Sequence, residues 1–138
     1  MKPAARPIRA TVTVHGEESL AAAHRAVDEA GQVLGYGLVD QTKLITAASE
    51  LVRNIVLYAG TGQMEVEEMV RGGQSGLRLT FTDEGPGIPD VGRAMQDGYS
   101  TGKGMGLGLP GARRLVHEFS IDSAAGMGTR VIIVLWKR

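Results

Sequence analysis

Cysteine is absent from the 138 residues of the sequence. Its absence excludes disulfide bonds, thiolate metal sites and a cysteine nucleophile, and it fits a reducing compartment. An excess of charge of one sign is also absent, because 15 lysine and arginine residues balance 15 aspartate and glutamate residues. This balance gives no electrostatic reason to expect a nucleic acid or an anionic membrane as the main partner.

Long apolar runs are missing as well. No run approaches the roughly 18 residues of a membrane-spanning helix, and the N-terminal stretch MKPAARPIRA lacks the apolar segment of a signal peptide. We therefore expect a cytoplasmic protein without a membrane partner. A length of 138 residues is that of one ordinary domain. We expect a single domain over residues 1–138, in which residues 1–7 are disordered.

Hydrophobic periodicity predicts five strands and three helices. Strands are expected at residues 7–15, 63–70, 76–83, 119–126 and 129–137, and helices at residues 17–35, 41–59 and 109–118. Asp40 is expected to cap the second helix. Six consecutive apolar residues, 131–136, indicate a last strand that is covered on both faces.

The order of these elements, β-α-α-β-β-loop-α-β-β, predicts the fold class. Strands that follow one another directly favour hairpins, and therefore a mixed, largely antiparallel sheet. Helices gathered on one face of this sheet give a two-layer α/β sandwich of the α+β class. The 20 glycines cluster rather than spread evenly, which indicates that the backbone has to adopt particular conformations there.

The second predicted helix carries an unusual polar pair, Glu50 and Asn54. Residues four positions apart lie on one face of a helix, and here that face adjoins the apolar stripe. Asparagine is a poor residue for the middle of a helix because its side chain competes for backbone hydrogen bonds. The pair therefore indicates either a functional site or a solvated polar face.

A second candidate is Asp83, which ends a buried strand and precedes Gly85 and Gly87 in the stretch DEGPGIP. A carboxylate in this position can face a ligand that the glycine turn allows to come close. The alternative is that the side chain only caps the turn between strand and loop.

The third candidate is the glycine-rich stretch GYSTGKGMGLGLPG at residues 98–111. A Walker A loop is excluded, because the spacing is one residue short and no hydroxyl residue follows Lys103. A dinucleotide fingerprint is excluded because the next acids, Glu118 and Asp122, come too early. What remains is a loop rich in free N–H groups before the start of a helix, which is an anion-binding arrangement.

Together these motifs resemble the N, G1 and G2 boxes of the GHKL ATPases. The order is E-x-x-x-N on a helix, D-x-G-x-G after a strand, G-x-G-x-G-x-G before a helix and G-x-G-T in a hairpin. The stretches SELVRNIVLYAGTGQ, DEGPGIPD, DGYSTGKGMGLGLPG and DSAAGMGT are most similar to the stressosome switch kinases of the anti-sigma factor kinase family. Lys103 departs from that pattern, in which a small residue is expected.

The resemblance implies a Bergerat fold that binds ATP and Mg²⁺. It gives Glu50 the role of general base and makes Asn54 both a nucleotide contact and the ligand of Mg²⁺. It places Asp83 and Thr129 at the adenine. The other nucleotide contacts that it implies are Gly85, Gly87, Ile88, Ser100, Thr101, Gly102, Lys103, Gly104, Met105, Gly106, Leu107 and Gly108.

Two further roles follow from the same resemblance. Residues 98–108 would form a lid, which is expected to be mobile without nucleotide and ordered by it. Arg53 would either orient the phosphate acceptor or, as we prefer, pair with a nearby acid.

The resemblance also implies an activity and partners. The three histidines lack the context of a histidine kinase, so the acceptor is expected to be a serine or threonine supplied in trans. The implied partners are STAS-domain antagonist and scaffold proteins and, after release, a PP2C-type phosphatase or its N-terminal domain, which the kinase would activate. The alternative is an anti-sigma factor kinase, or a nucleotide-gated binding module that sequesters a sigma factor. No nucleic acid is expected as a partner.

Overall fold

A computed structural model describes residues 8–96 and 108–138 of the chain. Its elements are β1 (Arg9–Val14), α1 (Ser19–Leu34), α2 (Leu38–Tyr58), β2 (Gly62–Arg71), β3 (Gln74–Asp83), α3 (Val91–Ala94), α4 (Leu109–Leu115), β4 (Glu118–Ser123) and β5 (Thr129–Trp136). The predicted order of strands and helices is confirmed, and the short α3 is an addition to it. In the described residues, no helix has both the length and the apolar character needed to cross a membrane. The expectation for residues 1–7 lies outside the described residues.

The five strands form one sheet in the order β1-β2-β3-β5-β4. Each of the four described pairings is antiparallel. The described sheet is therefore antiparallel throughout, whereas a mixed, largely antiparallel sheet was predicted. The register aligns Val12, Met64, Phe81, Val131 and Ile121 in one row across the sheet. This row belongs to the face on which α1 and α2 pack, and the predicted two-layer sandwich is thereby confirmed.

The first helix follows its predicted pattern closely. Ala23, Val27 and Ala30 are buried against the sheet and α2. The helix ends at Gly35, whose φ of 80° is a left-handed conformation that favours glycine.

The start of α2 differs from the prediction. Asp40 was expected to cap the helix, but Gly37 occupies the N-cap position and Asp40 lies in the first turn. Its carboxylate is bound by two nitrogens of the Arg138 guanidinium, at 2.7 and 3.2 Å. These charge-assisted hydrogen bonds lower the pKa of Asp40, and they are stronger than a bond to a neutral backbone N–H.

The end of α4 also differs from the prediction, which carried the helix to residue 118. The helix ends at Leu115, because Val116 is extended, with φ −124° and ψ 163°. Glu118 instead begins β4, where its carboxylate accepts the indole N–H of Trp136 at 2.8 Å. Pairing with β5 therefore decides the structure of these residues.

The last strand is covered on both faces, as its six apolar residues predicted. Ile133 and Leu135 are buried in the core, while Val134 and Trp136 are buried on the opposite face. There the Arg71 guanidinium lies 4.8 Å from the centroid of the Trp136 ring. Ile132 departs from the prediction, since it is only partly buried.

Candidate functional site

A cavity of about 230 Å³ lies between α2, the end of β3 and the turn that follows β3. Most of its wall is apolar, with Leu51, Ile55, Phe81, Leu109 and Val131 among the lining side chains. Five residues that the sequence singled out line it together, although they come from three separate parts of the chain. These residues are Asn54, Asp83, Gly87, Ile88 and Thr129.

Asp83 is the last residue of β3 and its side chain is half-buried in the cavity wall. Burial raises its pKa, while hydrogen bonds from the backbone N–H groups of Gly85 and Thr129 act in the opposite direction. The Gly85 N–H lies 2.9 Å from Oδ1. The two sequence interpretations of Asp83 are thus compatible, because one carboxylate both caps the turn and offers an acceptor to the cavity.

The turn after β3 is locked against the turn between β4 and β5. Gly87 has a φ of 76°, and a Cβ there would lie 1.9 Å from the carbonyl oxygen of Ala124. The backbone N–H of Gly126 donates to the carbonyl of Pro86 at 2.6 Å. The packing of these two turns of the chain therefore requires glycine at position 87, whether or not a ligand also contacts it.

Ser123 ties the same two turns together, and sequence reasoning missed it. Its hydroxyl accepts the Ile88 N–H at 2.8 Å and contacts the Thr129 hydroxyl at 2.8 Å. The only sequence signal is its position opposite Thr129 across the predicted hairpin, which the strand register confirms. A single serine in a strand carries no motif, so only the tertiary structure identifies it.

Glu50 lies on α2 one helical turn before the lining residue Asn54, but it is not itself among the residues that line the cavity. Its Oε1 forms an ion pair with Nη1 of Arg53 at 3.0 Å, and the two side chains are 36% and 38% exposed. Of the two roles open for Arg53, the structure therefore shows the pairing with an acid.

Gly108 lies directly beside Glu50. A Cβ at this glycine would come within 2.4 Å of Glu50 Oε2, and its φ of 71° also favours glycine. Gly108 occupies the N-cap position of α4. Helix α4 therefore begins immediately after Gly108, whose missing side chain leaves room for the Glu50 carboxylate.

Other predicted contacts, Ser100, Thr101, Gly102, Lys103, Gly104, Met105, Gly106 and Leu107, lie outside the described residues. So does the predicted lid, apart from Gly108. Gly85 is described, but it contributes its N–H to Asp83 rather than a surface to the cavity wall.

The described residues fit an adenine nucleotide and a hard cation. The carboxylate of Asp83 in a largely apolar wall suits a flat ring that has an N–H donor at its edge. The amide oxygen of Asn54 belongs to the class of ligand that Mg²⁺ prefers. Within residues 8–96 and 108–138, no three histidine, aspartate or glutamate side chains come together as a metal site.

Two further lining residues, Tyr58 and Arg93, were also not predicted from the sequence. Arg93 belongs to α3, the short helix that periodicity did not reveal. The Asp90 carboxylate caps this helix by accepting the Arg93 N–H at 3.0 Å. A four-residue helix is too short to show periodicity, so its capping residue was the only available signal.

Comparison with known proteins relates this chain to a family of ATPases. Residues 39–138 match the family described as Histidine kinase-, DNA gyrase B-, and HSP90-like ATPase. The chain is 46% identical to the serine/threonine-protein kinase RsbT of Bacillus subtilis over 127 residues, covering 92% of this chain and 96% of that one. It is 34% identical to an anti-sigma F factor of Bacillus licheniformis over 95 residues, or 65% of each chain.

Solved structures share the fold at lower sequence identity. The RsbU and RsbW domains of Rv1364c from Mycobacterium tuberculosis give a TM-score of 0.63 at 20% identity, over 97% of this chain and 33% of that one. The catalytic domain of the histidine kinase ThkA gives 0.56 at 15% identity, over 93% and 96%. The predicted resemblance and the predicted serine/threonine protein kinase activity are confirmed by the match to RsbT. The chain belongs to the histidine kinase-, DNA gyrase B- and HSP90-like ATPase family.

Proposed function

We propose that the chain is an ATP-dependent kinase of bacterial partner switching that phosphorylates a serine or threonine of a STAS-domain antagonist or scaffold protein. One observation carries this proposal. Asp83 and Thr129 line the same cavity as Asn54, and Glu50 lies one helical turn from Asn54. This grouping supports a site in which Asp83 would recognise the base, Asn54 would bind the cation and Glu50 would act as general base, the roles that phosphoryl transfer from ATP needs.

At the base end of the cavity, Asp83 would accept a hydrogen bond from the amino group of adenine. Thr129 would support this contact directly or through a water molecule. Ile88 would provide part of the apolar surface against which the ring lies, while Gly85 and Gly87 shape the turn beside it. The lock between the two turns supports this assignment, because it fixes the cavity wall before a ligand arrives.

At the other end, Asn54 would bind Mg²⁺ through its amide oxygen, with phosphate oxygens and water as the remaining ligands. ATP, when bound, supplies the γ-phosphoryl group. Glu50 would take the proton from the acceptor hydroxyl as that oxygen bonds to phosphorus and the bond to ADP breaks. Gly102, Gly104, Gly106 and Gly108 would offer backbone N–H groups to the phosphates.

The proposal extends to the partners. The acceptor would be a separate cytoplasmic protein, and residues 1–138 would act as a single kinase domain. After release from its STAS partner, the kinase would bind and activate a PP2C-type phosphatase or its N-terminal domain. The similarity to RsbT over 96% of that protein supports this assignment.

A second candidate function is supported by the 34% identity to an anti-sigma F factor. In this case the chain would hold a sigma factor in a nucleotide-dependent complex, and it would phosphorylate an antagonist of that complex. Both candidates use the same ATP site, so the partner distinguishes them rather than the cavity.

The test uses the purified chain, Mg²⁺, γ-labelled ATP and a purified STAS-domain protein from the same organism. We expect label on a serine or threonine of the STAS protein, and no label when Asn54→Ala replaces the natural chain. Stable, nucleotide-dependent capture of a sigma factor would favour the second candidate. Failure to bind ATP at all would contradict both.

A further inference from the structure

The hydroxyl of Ser123 has three polar neighbours, two of which belong to residues that line the cavity. The Ile88 backbone nitrogen, the Gly128 carbonyl oxygen and the Thr129 hydroxyl oxygen each lie 2.8 Å from Ser123 Oγ. A serine hydroxyl carries one proton to donate and can accept two hydrogen bonds. Three neighbours therefore use its full hydrogen-bonding capacity.

The chemistry of these neighbours assigns each proton. A backbone N–H can only donate, so Ile88 donates to Ser123. A carbonyl can only accept, so the single proton of Ser123 goes to Gly128. The remaining contact then has one solution, in which the Thr129 hydroxyl donates its proton to Ser123.

This assignment restricts what Thr129 can do toward the cavity that it lines. With its only proton held by Ser123, the Thr129 hydroxyl can offer a ligand nothing but lone pairs. The neighbouring Asp83 carboxylate, when ionised, is likewise an acceptor only. A ligand edge with two N–H donors, such as the exocyclic amino group of adenine, matches this pair, whereas a carbonyl at that position would face two acceptors.

We propose that Ser123 is a specificity-determining residue, which fixes Thr129 as an acceptor and so makes the site select a 6-amino purine over a 6-oxo purine. The inference rests on the proposed binding of ATP. Ser123 is a positioning residue that acts through Thr129 and needs no contact with the nucleotide. Sites that hydrogen-bond a ligand group reject analogues lacking it, because the buried partners are left unpaired.

The test measures dissociation constants of Mg-ATP and Mg-ITP, whose base has an oxygen in place of the amino group. Ser123→Ala frees the Thr129 proton, so that Thr129 can rotate and donate to the 6-oxo group. We expect the preference for ATP over ITP to fall about tenfold, which corresponds to one neutral hydrogen bond. Ser120→Ala, at an exposed serine on the same strand, should leave the preference unchanged.

The same substitution in a chain that lacks the Thr129 hydroxyl separates an effect of Ser123 through Thr129 from a general loosening of the turns. Thr129→Val removes the hydroxyl, so adding Ser123→Ala to it should change the preference no further. Ser123→Cys, with a weaker hydrogen-bonding group of similar shape, should fall between serine and alanine and serves if Ser123→Ala does not fold. Thermal melts identify variants with a comparable fold.

Two results would overturn the inference. One is an unchanged preference in both Ser123→Ala and Ser123→Cys. The other is an equal loss of preference with and without the Thr129 hydroxyl, since Ser123 would then act by another route. A natural protein that binds no ATP would instead contradict the proposed function.

Discussion

Two regions of the proposed ATP site are built differently. In the region proposed to bind the base, Asp83, Ser123 and Thr129 are held by hydrogen bonds of 2.8–2.9 Å between neighbouring strands and turns. In the region proposed to perform the transfer, Glu50 and Arg53 form one ion pair between side chains that are more than one-third exposed. An exposed ion pair stabilises a protein little, whereas the interlocked turns are part of the fold. Recognition of the base and transfer of phosphate should therefore be separable by mutation.

The largest expected effect separates chemistry from binding. Glu50→Gln keeps the size and hydrogen-bonding capacity of the side chain but removes its basicity. We expect phosphoryl transfer to slow at least about a hundredfold, because a positioned general base contributes roughly 10²–10⁴-fold. ATP affinity, measured by calorimetry, should change little. A large loss of affinity would instead make Glu50 part of the binding site.

The second-largest expected effect is on ATP affinity and concerns Asp83, the residue proposed to recognise the base. Asp83→Asn replaces the half-buried charged acceptor by an amide, and we expect ATP affinity to fall by about 10- to 100-fold, as for the loss of a charged hydrogen bond. Equilibrium titration with Mg-ATP measures it. Asp122→Asn is the matched control, because Asp122 is an exposed aspartate on β4. Equal affinities for Asp83→Asn and the natural chain would remove Asp83 from base recognition.

A smaller effect, on the turnover number, tests whether Arg53 positions Glu50. Arg53 holds one oxygen of Glu50 at 3.0 Å, so Arg53→Ala should let the carboxylate change rotamer. We expect the turnover number to fall about tenfold, since displaced catalytic groups lose part of their contribution. The KM for ATP should stay the same, and Arg53→Lys should recover part of the loss. Arg25→Ala, at an exposed arginine on α1, is the control.

The smallest effect concerns stability. Burial raises the pKa of Asp83 above its value in the unfolded chain, so ionisation of Asp83 opposes folding. Stability is then greatest below the unfolded pKa and decreases as the pH rises through the folded pKa. Asp83→Asn should therefore melt slightly higher than the natural chain at pH 7. The difference should disappear below about pH 4, where the carboxyl group is protonated in both states.

Local sequence patterns were enough to predict most of the fold. Apolar periodicity located the strands and the long helices, and helical spacing placed Glu50 beside Asn54. The features that were missed depend on residues far apart in the chain. Asp40 is 98 positions from Arg138, its partner, and Ser123 is 35 positions from Ile88. Contacts at such separations leave no periodic signal, and they account for the partner of Asp40 in the first turn of α2 and for the hydrogen bonds around Ser123.

The central claim is that Asp83 acts in binding the base and Glu50 in the transfer of phosphate. Its most direct test is single-turnover transfer of labelled phosphate to the proposed STAS partner by Asp83→Asn and Glu50→Gln, each at saturating Mg-ATP. The account predicts near-natural transfer by Asp83→Asn, because saturation compensates for weaker binding, and transfer at least about a hundredfold slower by Glu50→Gln. Equal rates for the two variants, or normal transfer by Glu50→Gln, would contradict it.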